Sequence, residues 1–159
     1  MNENTVPRTY LSALRVLLGI ILLVTWKENL DKGLYTPDGF RGFIESLAEG
    51  HPVEFYRSFL LNGMAPLAGI FGPFQMIAEL GMGLALLTGT LTRLAGLGAT
   101  FFFFNLFLAY LNPNLGEWIW TYVMLVALAV VVTLGRAGRT WGVDALLRQR
   151  RGEPRIPVY

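Results

Sequence analysis

The chain has 159 residues, of which 53% are hydrophobic and only 15% charged, and its mean hydropathy is +0.48. That balance lies outside the range of water-soluble domains. The lack of cysteine excludes disulfides, thiolate chemistry, Cys-attached haem and Cys-ligated iron-sulfur clusters within this sequence, and a net charge of +2 defines no partner by itself.

The apolar residues gather into four runs, each close to the roughly 20 residues that cross the hydrocarbon core of a bilayer. The pattern predicts an all-α membrane protein, a four-transmembrane-helix bundle forming a single domain over residues 1–159. Residues 1–8 are short and polar, and the apolar segment behind them lacks a small-residue cleavage site, so the first run is expected to be a retained span rather than a signal peptide. It covers residues 10–26, with Arg15 in its first turn near the interface.

An insertion, residues 27–63, follows. Thr36 is placed to cap a helix whose first position is Pro37. Phe40, Phe43, Ile44, Leu47 and Ala48 then recur at helical spacing opposite Arg41, Glu45 and Glu49, which predicts an amphipathic helix over the bundle mouth or the membrane surface. Gly50 ends it, Pro52 is expected to open a short helix with a stripe of Phe55, Tyr56, Phe59 and Leu60, and Asn62-Gly63 is expected to break the chain.

The second span is expected over 66–91, with Pro73 inside it and Glu79 as its one charge. A tight turn makes it the antiparallel neighbour of the third span, 94–111; Asn112 to Gly116 turns the chain into the fourth span, 118–134, and a basic tail covers 135–159. Gly81, Gly83, Gly89, Gly96 and Gly98 are expected to let the second and third spans pack closely.

Orientation follows from the basic residues. Arg8, Arg15, Arg93, Arg136, Arg139, Arg148, Arg150, Arg151 and Arg155 fall on one side; Lys27, Lys32, Arg41 and Arg57 fall on the other, among seven acids. The imbalance predicts cytoplasmic termini in a prokaryotic cytoplasmic membrane. Trp26, Tyr35, Tyr110, Trp118, Trp120 and Tyr122 would then form an outer aromatic belt, with Trp141 at the inner interface.

Glu79 is the residue most in need of explanation, because a carboxylate at mid-bilayer costs about 2.5 to 3.5 kcal/mol on insertion scales. Counted from the turn, Asn105 on the third span differs from it in depth by about 3 Å, close enough for a hydrogen bond. Gln75 lies one helical turn before Glu79, and Thr25 and Thr121 come at comparable depth on the other spans. These five residues are the candidate site, either for the headgroup of a quinone or similar ligand or for a protonatable relay. The competing reading is polar glue between helices around a neutral Glu79, and the sequence favours it slightly.

His51 is the only histidine, so a metal site lacks convergent ligands. The run Phe101 to Phe104 points in every direction around its helix and must meet lipid or a partner in part. The cluster Arg148, Gln149, Arg150, Arg151 is read as a topology signal ahead of a site for acidic lipid or an acidic protein patch. Nucleic-acid binding has no folded basic surface to support it.

From Glu79-Leu80-Gly81 through Gly89-Thr90-Leu91-Thr92-Arg93-Leu94-Ala95 the chain resembles the DoxX/DoxD family of small bacterial and archaeal membrane proteins, whose pattern there is Glu-Leu, a Gly-rich apolar stretch, then Gly-x-x-Thr-Arg-x-Ala. Arg15 to Gly19 resembles the family's first-span opening, and Gly138 to Leu147 its closing segment. The resemblance carries Arg15, Glu79, Gly89, Thr92 and Arg93 over as motif positions. It implies a four-helix bundle and, for the DoxD branch, membership of a membrane thiosulfate:quinone oxidoreductase. The expected role is therefore a multi-pass subunit of a redox complex, facing a quinone and holding no covalent cofactor, in contact with lipid and with a protein partner or further copies of itself. A self-sufficient quinone-dependent oxidoreductase and a small transporter remain the alternatives. The exposed aromatic stripe and the amphipathic helix are the expected docking surface for a partner.

Overall fold

The computed structural model describes residues 8–151, and secondary structure among them is entirely helical. The first helix, α1 (Arg8–Asp31), continues past the expected end at Trp26. Its polar extension is helical because Lys27 pairs with Asp31 at 2.5 Å and Glu28 with Lys32 at 3.7 Å, both at the i,i+4 spacing that supports an exposed helix. At 24 residues it is about 36 Å long, so its charged end stands clear of a hydrocarbon core about 30 Å thick.

The amphipathic helix, α2 (Pro37–Ala48), starts where the sequence placed it: Thr36 Oγ1 accepts from the Gly39 N–H at 3.1 Å, and Phe40, Ile44, Leu47 and Ala48 are buried. The next helix, α3 (Glu54–Phe59), begins later than Pro52 suggested, because the Val53 N–H donates to His51 Nδ1 at 3.1 Å before the helix starts. The break expected at Asn62-Gly63 does not occur. A π-helical turn, Leu60–Met64, and a 3-10 turn, Ala65–Leu67, carry the chain into α4 (Ala68–Thr88), which keeps Pro73 in its second turn. Gly89 ends α4 in the left-handed region, φ +71°, and the N–H groups of Gly89 and Thr90 both return to the Ala85 carbonyl.

The fifth helix, α5 (Thr92–Ala109), is followed by a 3-10 turn at Pro113–Leu115 and by α6 (Trp120–Leu134). Three apolar helical stretches among the described residues are long enough to cross a membrane; α6 is apolar but, at 15 residues or about 22 Å, shorter than the span 118–134 read from the sequence. Its N-terminus is cut back by the left-handed Gly116 and the non-helical Glu117 and Trp118. A 3-10 turn, Ala137–Arg139, leads to α7 (Val143–Arg151).

The most extensive helix contacts join α1 to α4 and α5 to α6, so the bundle consists of two tight pairs. Glycine decides both pairings, though not as the sequence suggested. A Cβ at Gly19 would lie 2.7 Å from the Leu87 nitrogen, and one at Gly83 would lie 2.8 Å from Leu23 Cδ2, so both glycines serve the α1–α4 seam. Gly96 packs on Thr133 in the α5–α6 seam, only Gly98 faces α4, through Met82, and Gly81 meets nothing. In the phenylalanine run, Phe103 is buried and Phe102 half-buried, while Phe101 and Phe104 are exposed.

The two ends of the bundle differ. At one, the start of α1, the α4–α5 turn and the C-terminal segment meet. At the other, α2 and α3 cover the helices, and Asn112 Nδ2 ties the α5–α6 turn to α2 by donating to the carbonyls of Leu47 and Glu49 at 3.1 and 2.7 Å.

Candidate functional site

Between the two helix pairs lies a cavity of about 310 Å³. Thr25 and Asn29 of α1, Gln75 and Glu79 of α4, and Thr121 and Tyr122 of α6 give it polar groups; Ile21, Leu22, Phe102, Phe103, Leu106 and Leu125 give it apolar walls. Leu34, Phe43 and Tyr110 close it toward α2, and the rings of Tyr110 and Tyr122 stack 4.5 Å apart.

Glu79 is fully buried at this cavity. Its Oε1 accepts from Gln75 Nε2 at 2.7 Å, one helical turn away, and its Oε2 accepts from Tyr35 Oη at 2.5 Å and from Asn29 Nδ2 at 3.4 Å. The approach of Tyr35 depends on two glycines. Gly33, at φ +68°, turns the chain out of α1, and Gly72 leaves bare backbone on α4 where a Cβ would lie 2.7 Å from the Tyr35 carbonyl oxygen. Gly72, Gln75, Glu79 and Gly83 thus form one face of α4, turned toward α1 and the connection after it. Burial, together with the hydrogen bond and charge of Glu79, holds the Tyr35 phenol above its usual pKa, so it stays protonated.

Of the five candidate residues, Glu79, Gln75, Thr25 and Thr121 border the same cavity. Asn105 does not, and it does not bond Glu79: its Oδ1 and its carbonyl oxygen accept from Tyr56 Oη at 3.0 and 3.2 Å. The azimuth differs from the expected one, since Phe102, Phe103 and Leu106 hold the cavity side of α5 and Asn105 turns toward Tyr56 of α3. Tyr35 and Asn29 were missing from the sequence reading. Asn29 falls one turn after Thr25 on α1, a signal that was available; Tyr35 was assigned to the aromatic belt and is instead buried against Glu79.

His51 has both ring nitrogens engaged. Nδ1 accepts from Val53, which leaves Nε2–H to donate to the Leu108 carbonyl at 2.9 Å. Among the described residues no group of His, Cys, Asp and Glu converges to hold a metal ion.

A family model described as DoxX matches residues 10–112. The chain belongs to the DoxX family. No curated protein and no solved structure matches it. The matched region of this DoxX protein spans α1 to α5 and holds Glu79 with its three donors; α6, α7 and the closing segment Gly138 to Leu147 lie outside it.

The remaining motif positions of the DoxX chain gather at the other end of α4, about 15 Å along the helix from Glu79. Arg15 is 1% and Asp144 2% exposed. Asp144 caps α5, accepting from the Leu91 and Thr92 N–H groups at 2.8 Å each, while its own N–H donates to the Gly89 carbonyl at 2.8 Å. Arg15 Nη2 donates to the Trp141 carbonyl at 2.5 Å, and Ser12 Oγ lies 3.0 and 2.7 Å from the carbonyls of Ala137 and Thr140. Arg15 Nε and Nη1 have no hydrogen-bond partner in the structure. Gly89 and Gly142 leave room for the guanidinium: a Cβ on Gly142 would lie 2.6 Å from Nη1. Among the described residues, the three non-glycine residues at positive φ, Leu91, Arg136 and Trp141, all sit here. Each costs roughly 1 to 2 kcal/mol of backbone strain, and Asp144 and Arg15 hold two of them in place. Arg93 stands in the first turn of α5 beside them.

Proposed function

We propose that this DoxX protein is a multi-pass membrane subunit of a redox assembly, in which α1, α4, α5 and α6 cross the bilayer and the Glu79 cavity receives the headgroup of a quinone. The observation that carries the reading is the make-up of the cavity. Its volume falls in the range of small-ligand sites, and a few polar groups converge on one part of an otherwise aliphatic and aromatic wall. That combination suits a flat, apolar ring bearing oxygen atoms. Thr25, Gln75 and Thr121 are the groups that would orient those oxygens.

The reading places the termini in the cytoplasm, on the strength of the lysine and arginine distribution. It makes the exposed Phe55 and Phe59 of α3 the contact to a partner on the outer face, since Phe55 is 83% exposed and Tyr56 is the residue of α3 that turns inward. With no cysteine in the sequence, the electron donor or acceptor opposite the quinone belongs to that partner, in the manner of the DoxD branch.

The test is binding of a short-chain ubiquinone analogue to the detergent-purified chain, followed by tryptophan quenching. Saturable binding is expected, weakened about tenfold by Thr121→Leu, which replaces a wall hydroxyl with a larger apolar group and corresponds to about 1.4 kcal/mol. Absence of saturable binding, or binding indifferent to Thr121→Leu, would overturn the reading.

A further inference from the structure

Beyond the identity of any ligand, the hydrogen bonds around Glu79 have a property that polar glue does not require. We infer that Glu79 is a proton-exchange site, and that Tyr35 is the residue that makes it one. In the carboxylate form, Glu79 accepts from three neutral donors: Gln75 at Oε1, Tyr35 and Asn29 at Oε2. In the carboxylic acid form, Oε2 carries a proton that needs an acceptor. The amide nitrogens of Gln75 and Asn29 cannot accept, but the Tyr35 hydroxyl can. Its own proton is then free to turn to the Trp26 carbonyl, which lies 3.5 Å from Oη. Rotation of one phenolic O–H therefore satisfies both states.

The charges around the site point the same way. A carboxylate fixed permanently at this depth is ordinarily matched by a buried cation. None lines the cavity. From α1 and the connection after it, Glu79 is faced by Asn29 and Tyr35; from α4, by Gln75; across the cavity stand Tyr110 at the end of α5 and Tyr122 on α6. Lys27 on α1 and Lys32 just after it are exposed and paired with Asp31 and Glu28. The charge of Glu79 is therefore set by gain and loss of a proton.

The route for that proton is short. Asn29 is only half-buried, and both it and Tyr35 belong to the end of the bundle covered by α2, where α1 emerges and turns. The exchange is balanced with water alone: Glu79 gives its proton to a water molecule, forming a carboxylate and hydronium, while the phenol reorients and ends chemically unchanged. A site of this kind suits a cavity ligand that binds or releases protons as it reacts.

The experiment uses dicyclohexylcarbodiimide, a membrane-soluble reagent that adds to protonated carboxyls, with intact-mass and peptide analysis of the full ligand-free chain between about pH 5 and 9. Glu79 is expected to label at the acidic end and to lose labelling as pH rises. Glu79→Gln abolishes that adduct. Tyr35→Phe takes a charge-assisted bond from the carboxylate and a weaker neutral one from the acid, so the difference moves the labelling midpoint up by about one pH unit, the equivalent of about 1.4 kcal/mol. Complete labelling or no labelling across the whole range in the wild-type chain would show Glu79 locked in one state and overturn the inference without recourse to a variant. An unmoved midpoint in Tyr35→Phe would overturn the role of Tyr35. Because no quinone is present, these outcomes are independent of whether the quinone analogue binds.

Discussion

Replacing Asp144 by Ala tests the clamp at the Arg15 end. The substitution removes acceptors for two backbone N–H groups at the start of α5, each 2.8 Å from a carboxylate oxygen. Loss of a helix cap costs about 0.5 to 2 kcal/mol. It also strips the counter-charge from Arg15, which is as buried as Asp144 and whose Nε and Nη1 make no hydrogen bond. Removing one partner of a buried charge pair costs about 3 to 5 kcal/mol when the pair is in contact. Here the carboxylate bonds backbone and acts on the guanidinium through space, so the lower half of that range applies, and with the lost cap the combined loss is about 4 to 5 kcal/mol. The assay is equilibrium unfolding of the detergent-solubilised chain by added denaturing detergent, followed by circular dichroism. Asp144→Asn keeps the shape and one acceptor and is expected near half the loss. Arg15→Met placed on Asp144→Ala removes the orphaned cation, so the double variant loses less than the sum of the single changes. A cost below about 0.5 kcal/mol for Asp144→Ala, or strict additivity with Arg15→Met, would refute the electrostatic argument.

Two further outcomes follow from the other end and from the charge distribution. Asn112→Ala leaves the Leu47 and Glu49 carbonyls without their donor and is expected to cost about 1 to 3 kcal/mol in the same unfolding assay, with proteolytic protection falling first at the α2 and α5–α6 connections. Single cysteines placed at Glu45 and Asn114 are expected to react with an impermeant maleimide in intact cells, and one at Arg150 only after lysis; the native chain gives no background because it has no cysteine.

What the sequence made legible and what it hid separate along a physical line. The capped start of α2 was readable because Thr36 and Pro37 act locally, and the place of Gln75 beside Glu79 was readable because residues four apart share a helix face. The azimuth was not. Whether Glu79 faces α5 or α1 depends on which helices pair, and that is settled by Gly19, Gly72 and Gly83, whose missing side chains let α1 and the Tyr35 connection come close. The pairing of Glu79 with Tyr35 across 44 positions has no local signature. The continuation of α1 beyond its apolar run has another basis: Lys27, Glu28, Asp31 and Lys32 at i,i+4 spacing support a helix that hydropathy does not announce.

The Arg15 clamp also bears on how the protein is made. Arg15 leaves the ribosome 126 residues ahead of Trp141, which receives its hydrogen bond, and ahead of Asp144, which supplies its counter-charge. Until those residues are made, α1 carries a cation that lacks the partners it has in the folded protein. It must wait at the lipid interface, where an arginine can reach water, until the last segment folds back. Closure of this end of the bundle is in this way tied to synthesis of the segment from Trp141 to Asp144: a product truncated after α6 lacks both groups and presents an unpaired arginine to whatever surveys unassembled membrane proteins.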